Sequence, residues 1–357
     1  MSTDLKLAKF KLDTVLNKAR MDFYKPIQIA EVLYHSRIER NINITNKEDY
    51  RTQSKKWRDE VSLKLLGKYC KSSSKYQDDV WSETAMPHYI LSILDKYNQQ
   101  SCGVVEKYIY SKLQNKQGII ATIIDYIQTS MSAPQKFYLE YILESFRESK
   151  SGMKRSIDKC YEIISYSIFE SVLQILEAEI IVKVPKKNYD ILEYFGDLAK
   201  VLLGVNLEEP EWREIAHIYR VGVTNAADRG LDMWTNFGPA IQVKHLTLDA
   251  TKAEEVVDQI ESDNILIICK DAEASVISII MRQINWGKRV RGIVTESQLI
   301  EWYNRCLRGS YREKIAPKLL EILLNSFKRE FPGAESIADF LLERGYSNLK
   351  LSPMWKL

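Results

Sequence analysis

Residues 231–244 constrain this chain more than any other stretch. Leu231-Asp232-Met233-Trp234 and Ala240-Ile241-Gln242-Val243-Lys244 are short apolar-rich runs, and Thr235-Asn236-Phe237-Gly238-Pro239 between them carries a Gly-Pro turn signal. The pattern predicts a β-hairpin. Side chains alternate between the faces of a strand, so Ile241 and Val243 point one way and Gln242 and Lys244 the other. On the first strand Leu231 and Met233 take the core side, which leaves Asp232 on the opposite face. Pairing then brings an acid, an amide and a lysine together at one end of a sheet. A hard cation such as Mg²⁺ takes oxygen ligands. Asp232 offers a carboxylate and Gln242 a carbonyl, while Lys244 suits positioning or deprotonating a water, or balancing the charge of a phosphate.

The elements that follow give the hairpin a context. Thr251 to Ile260 has helical spacing with Thr251 as a candidate N-cap. Asn264-Ile265-Leu266-Ile267-Ile268-Cys269 is a continuous apolar run, as a strand buried on both faces requires. Ala272 to Gln283 reads as a helix, Val290 to Val294 as a strand and Ser297 to Leu307 as a helix. Strand, strand, helix, strand, helix, strand predicts a mixed α/β sheet flanked by helices. An ordinary α/β domain with Asp and Lys on its hairpin by chance is the bland alternative.

Asp232, followed by Gln242-Val243-Lys244, resembles the active site of the PD-(D/E)xK nuclease superfamily, whose pattern is an acid, a gap and then (D/E)-x-K. Gln242 stands where an acid is commoner. A Q-x-K variant, with a glycine just before the acid as in Gly230-Leu231-Asp232, is similar to the Mrr-type branch. A neutral Gln implies weaker metal binding than Glu. The text from Tyr24 to Arg37 and from Lys55 to Gly67, together with the Asp232–Lys244 site, resembles the HaeII-type restriction endonucleases over most of the chain. That resemblance implies a Mg²⁺-dependent type II endonuclease, with Mn²⁺ able to substitute, cutting double-stranded DNA at a short GC-rich, partly degenerate palindrome. It implies a homodimer, a companion DNA methyltransferase that is not a stable subunit, and a prokaryotic cytoplasmic setting. The alternatives are an Mrr-like or repair nuclease on modified or branched DNA, and a non-catalytic DNA-binding protein with a degenerate nuclease fold.

Net charge is only +3, so its distribution matters more. From Lys47 to Lys75 nine basic residues stand against four acids, with Tyr50, Trp57, Tyr69 and Tyr76 interleaved. Trp57, Val61 and Leu65 form the apolar stripe of a helix over Ser54 to Leu66. Arg51, Lys55, Lys56, Arg58 and Lys64 are the candidate DNA contacts, the arginines for guanine edges and the lysines for phosphates. A solvated helix surface is the competing reading. Arginines after the core, Arg289, Arg291, Arg308 and Arg312, are the fallback. Tyr24 to Tyr34 reads as a helix with Pro26 in its first turn; with the basic helix and the Lys71–Lys75 turn it suggests a winged-helix-like reader.

Four regions are expected: a helical basic region over 1–115, a helical connector over 116–185 ending at Pro185-Lys186-Lys187, the catalytic core over 186–310, and C-terminal helices over 311–357. The stretch from Gln117 to Lys183 reads as helical. Asp190 to Leu203 reads as a helix ended by Gly204, and Glu211 to Arg220 as a helix offering a further metal ligand, Glu214 ahead of Glu211. Five cysteines, Cys70, Cys102, Cys160, Cys269 and Cys306, are dispersed without a C-x-x-C pair, and four histidines give no zinc constellation. No apolar run is long enough to span a membrane and no signal-peptide core opens the chain.

Overall fold

A computed structural model describes residues 3–19, 23–40, 42–67, 69, 79–148, 156–221, 231–244, 264–270, 290–331 and 335–356. The chain divides into two compact units, one comprising Met1–Tyr161 with Leu323–Leu357, the other running from Glu162 to Ile322. The boundary read at Pro185 lies inside the second unit.

The first unit is helical. Its described helices are α1 (Thr3–Lys18), α2 (Tyr24–Glu39), α3 (Lys47–Arg51), α4 (Gln53–Leu66), α5 (His88–Gln100), α6 (Val104–Ser130) and α7 (Leu139–Arg147), joined by α13 (Glu335–Glu343) from the C-terminus. Helix α2 packs against α4, α5 and α6. It buries Ile27, Ile29, Ala30, Val32 and Leu33, and with them Gln28 and Glu31, as a helix covered on every side must. Its buried polar groups are therefore paired: Gln28 donates to Ser54 at 2.8 Å, and Glu31 accepts from Tyr110 at 2.6 Å and Arg344 at 3.0 Å. Pro26 sits in the first turn of α2. No strand occurs among the described residues of this unit, and the Lys71–Lys75 turn lies outside them.

Lys116 on α6 is a buried cation of this unit. Its ammonium donates to the Ala19 carbonyl at 3.0 Å and lies 4.8 Å above the Phe23 ring. Burial pushes its pKa down to about 8 from 10.5. Between those values the unfolded chain holds a proton that the folded chain has released, so this residue makes stability rise with pH. Urea titrations of wild type and Lys116→Met at pH 7.5 and 9.5 are expected to show the wild type gaining about 1–2 kcal/mol relative to the variant over that interval. A constant difference would mean that Lys116 does not titrate there.

The second unit begins within α8 (Ile157–Leu176) and carries two sheets. β1 (Glu179–Lys183) pairs antiparallel with β2 (Glu211–Ile215), with α9 (Tyr189–Tyr194) and α10 (Gly196–Leu203) between them. Two expectations are corrected here. Glu179 to Lys183 is a strand and not the end of the helical stretch; Glu211 to Arg220 is β2 and β3 and not a helix. Glu-Ile-Ile-Val-Lys is rich in β-branched residues, which favour a pleated surface, and each strand supplies the other's hydrogen bonds. The helix expected over Asp190 to Leu203 is broken at Phe195-Gly196. Gly204 ends α10 at φ 71°, with the Trp212 ring 3.1 Å from where a Cβ would stand.

The larger sheet has the order β3 (Ile218–Arg220), β4 (Met233–Thr235), β5 (Ala240–Lys244), β6 (Ile265–Cys269), β7 (Val290–Thr295). The first three strands are antiparallel; β5, β6 and β7 are parallel. β6 is buried on both faces, as its apolar run predicts. Parallel neighbours need crossover connections; those run through 245–263 and 271–289, outside the described residues, as do the helices expected at 251–260 and 272–283. α11 (Glu296–Arg308) follows β7 through a capping box of Thr295 and Gln298, and α12 (Arg312–Glu330) follows it. Tyr303 of α11 donates to the Ile164 carbonyl of α8 at 2.9 Å. The mixed sheet with flanking helices is the α/β fold expected. No described helix is long and apolar enough to cross a membrane.

Candidate active site

The hairpin forms as the alternation predicts. Met233 lies opposite Ile241 and Trp234 opposite Ala240. Gly238 turns the chain at φ 119°, a backbone conformation that glycine adopts without strain. Asn236 fixes the turn to the preceding strands, accepting from His217 N–H at 2.8 Å and donating to the Ile215 carbonyl at 2.9 Å. The edge strand β3 is held by α8 instead of by another strand. Buried Glu170 accepts from the Ile218 N–H at 3.1 Å, and buried Glu162 accepts from Arg220 at 2.9 Å. A carboxylate at a sheet edge satisfies donors that would otherwise go unpaired.

Asp232 precedes β4 and is half-buried. Its Oδ2 accepts from the Val243 N–H at 2.7 Å, and its own N–H donates to the Ile241 carbonyl at 3.2 Å. The acid is thereby fastened across the hairpin beside Gln242. That glutamine is 1% exposed, and its Oε1 has no hydrogen-bond partner among the described residues. A buried amide oxygen keeps its acceptor capacity for a donor or a cation. Lys244 is the last residue of β5, two positions beyond Gln242, with its backbone opposite Cys269.

These donors fit a hard divalent cation. A carboxylate retains lone pairs after accepting one N–H, and an amide oxygen is a neutral hard ligand. Two protein ligands suffice for an ion such as Mg²⁺, which keeps several waters. No cluster of three or more His, Cys, Asp or Glu side chains suited to a metal occurs among the described residues.

The further acids stand elsewhere. Glu214 is exposed on β2, in the two-stranded sheet, opposite Ile180. Glu211 is paired with Lys183 at 2.6 Å and Arg213 at 3.0 Å. The helix packed against β3 is α8, and its buried acids are Glu162 and Glu170. The signal for them was present: two carboxylates eight residues apart in the apolar-rich stretch Tyr161–Leu173. Sequence reasoning also missed an aromatic pair on the same sheet face as Asp232. Tyr219 and Trp234, directly opposite in register, stack with ring centres 4.3 Å apart and are both exposed.

The basic candidates separate by burial. Lys55 and Lys56 are exposed on α4. Arg51 is exposed and lies 3.4 Å from both Glu48 and Asp79; Lys64 is exposed and pairs with Glu343. Arg58 is 6% exposed, not off the apolar stripe. Its guanidinium donates to Asp59 at 2.7 and 2.8 Å and to Gln28 at 3.4 Å, and it faces the Tyr24 ring. Among the fallback arginines, Arg291 and Arg312 are exposed and Arg308 is half-buried; Arg289 lies outside the described residues.

Comparison with known proteins identifies the family of the chain. The family model described as HaeII restriction endonuclease matches residues 8–346. The chain is similar to the type II restriction enzyme HaeII of Haemophilus aegyptius, at 42% identity over 94% of this chain and 95% of that protein. It is similar also to the type II restriction enzyme NgoBI of Neisseria gonorrhoeae, at 43% identity over 97% of this chain and 98% of that protein. No solved structure matches it significantly.

Proposed function

The chain belongs to the HaeII restriction endonuclease family, and from that premise we propose that this type II restriction endonuclease cuts double-stranded DNA at a short GC-rich, partly degenerate palindrome with Asp232, Gln242 and Lys244 as its active site. The observation that carries the reading is the buried amide oxygen of Gln242, without a partner among the described residues, beside an aspartate held by the Val243 N–H. Asp232 and Gln242 would hold a divalent ion, Mg²⁺ or Mn²⁺. When bound, that ion supplies Lewis-acid polarisation of the phosphate. Lys244 orients the attacking water, accepts or returns its proton, and offsets charge that builds on the phosphate during in-line displacement. A palindromic target calls for a two-fold homodimer. A methyltransferase of the same specificity is the expected companion, as a separate protein.

Metal substitution tests the site. Mg²⁺ and Mn²⁺ should support cutting. Ca²⁺ should support DNA binding but little cleavage, because its larger and looser coordination places water poorly. Undiminished cutting of plasmid DNA in excess EDTA would remove the metal from the mechanism.

The basic helix carries a separate expectation. Lys55→Ala and Lys56→Ala should each lower the magnitude of the salt slope of DNA binding by about one if they touch phosphates. Arg58→Ala should instead lower the unfolding midpoint, because it strips a buried charge from Asp59 and Gln28. Binding titrations across salt, paired with thermal melts, separate the two. Unchanged slopes at both lysines would place the phosphate contacts outside α4.

A further inference from the structure

Helix α10 reads Gly-Asp-Leu-Ala-Lys-Val-Leu-Leu and buries none of its residues. An apolar helix is stable in water only when its apolar faces are covered. Val201 is 88% exposed, Leu202 72% and Leu198 55%. They stand at i, i+3 and i+4, one face of the helix. Helix α9 repeats the arrangement with Ile191, Tyr194 and Phe195, of which Tyr194 is 81% exposed. The two helices are joined at Phe195-Gly196 and touch each other.

The exposed area is too large for an idle surface. Side chains of this size present up to about 150–250 Å² each, so these six residues leave on the order of 800 Å² of apolar surface, which is what one partner contributes to a standard stable interface. The largest apolar patch on an ordinary monomer is about 300–600 Å². Nucleic acid is a poor occupant of an apolar face whose stretch sets Asp190, Glu193 and Asp197 against Lys186, Lys187 and Lys200, with no net positive charge to draw a polyanion. A second copy suits the charges. Asp197 and Lys200 are placed symmetrically about Leu198-Ala199, so two α10 helices crossing antiparallel set each aspartate against the other copy's lysine. A two-fold interface requires this self-complementarity.

We propose that α9 and α10 form the face through which two copies of this chain associate. The inference rests on the two-fold assembly in the functional reading and adds the surface that makes it. The face uses none of Asp232, Gln242 and Lys244, so chemistry can be lost while association persists.

Sedimentation velocity of the full chain at micromolar concentration tests it. Wild type should sediment at twice the chain mass. Val201→Glu with Leu202→Glu should weaken association at least about tenfold while the far-UV spectrum stays unchanged and unfolding stays cooperative, since both positions are exposed in the single chain. Asp197→Lys should weaken association by setting like charges together, and adding Lys200→Asp should restore it. A monomeric wild type, undiminished association of the double glutamate variant, or no restoration by the paired charge swap would each overturn the proposal. Plasmid cutting on the same samples keeps the two readings apart: a protein that associates through this face but never cuts leaves the interface standing and removes the nuclease site.

Discussion

Asp232→Asn is expected to reduce DNA cleavage by about 10³-fold or more, a loss of roughly 4 kcal/mol of transition-state stabilisation. Folding and binding of the target duplex should persist. The substitution is isosteric, and the Asn side-chain oxygen can still accept the Val243 N–H that anchors Asp232 at 2.7 Å. What it removes is the negative charge that a cation needs. Single-turnover cleavage with saturating enzyme measures the loss, and a rate within about tenfold of wild type would contradict the assignment. Gln242→Glu should be tolerated better than Gln242→Ala, because it keeps an oxygen at a buried position. Equal loss in both would deny the amide a ligand role.

Glu106→Ala should be the most destabilising single change in the helical unit, costing about 3–5 kcal/mol. Glu106 is fully buried. It accepts two parallel bonds from Arg37, each 2.8 Å, another from Asn98 at 2.5 Å and a fourth from the Tyr346 hydroxyl. The bidentate pairing holds Arg37 more firmly protonated than an ordinary arginine, and burial together with the same carboxylate raises the Tyr346 phenol. Removing the carboxylate leaves a guanidinium, an amide and a hydroxyl without their acceptor, and the guanidinium half-buried. Equilibrium urea unfolding reads the cost; a loss under about 1 kcal/mol would show that these groups find other partners. Glu106→Gln, which keeps an acceptor but loses the charge, should fall between.

The hairpin was legible because two local signals agreed, strict alternation on both strands and Gly238-Pro239 between them. β6 was legible for another reason: a parallel strand buried on both faces shows as an unbroken apolar run, and Ile265–Cys269 is one. What could not be read locally was decided by distant partners. Glu-Trp-Arg-Glu-Ile suits a helix or a strand, and its pairing with Glu179–Lys183, where Glu211 lies opposite Lys183, settles it. Arg58 sits in a run of charges, and charge runs are ordinarily solvated; Gln28 and the Tyr24 ring on α2 draw it inside. The burial of Gln242 was also beyond sequence. Alternation gave the residue its face, but its burial depends on the neighbours that cover that face.

Digestion of a fully sequenced plasmid with Mg²⁺, followed by mapping of every fragment end, tests the central claim most directly. Discrete fragments are expected, each ending within one short palindromic sequence, from wild type and not from Asp232→Asn or Lys244→Ala. Ends scattered without a shared sequence, or the same discrete fragments from the Asp232→Asn protein, would contradict it.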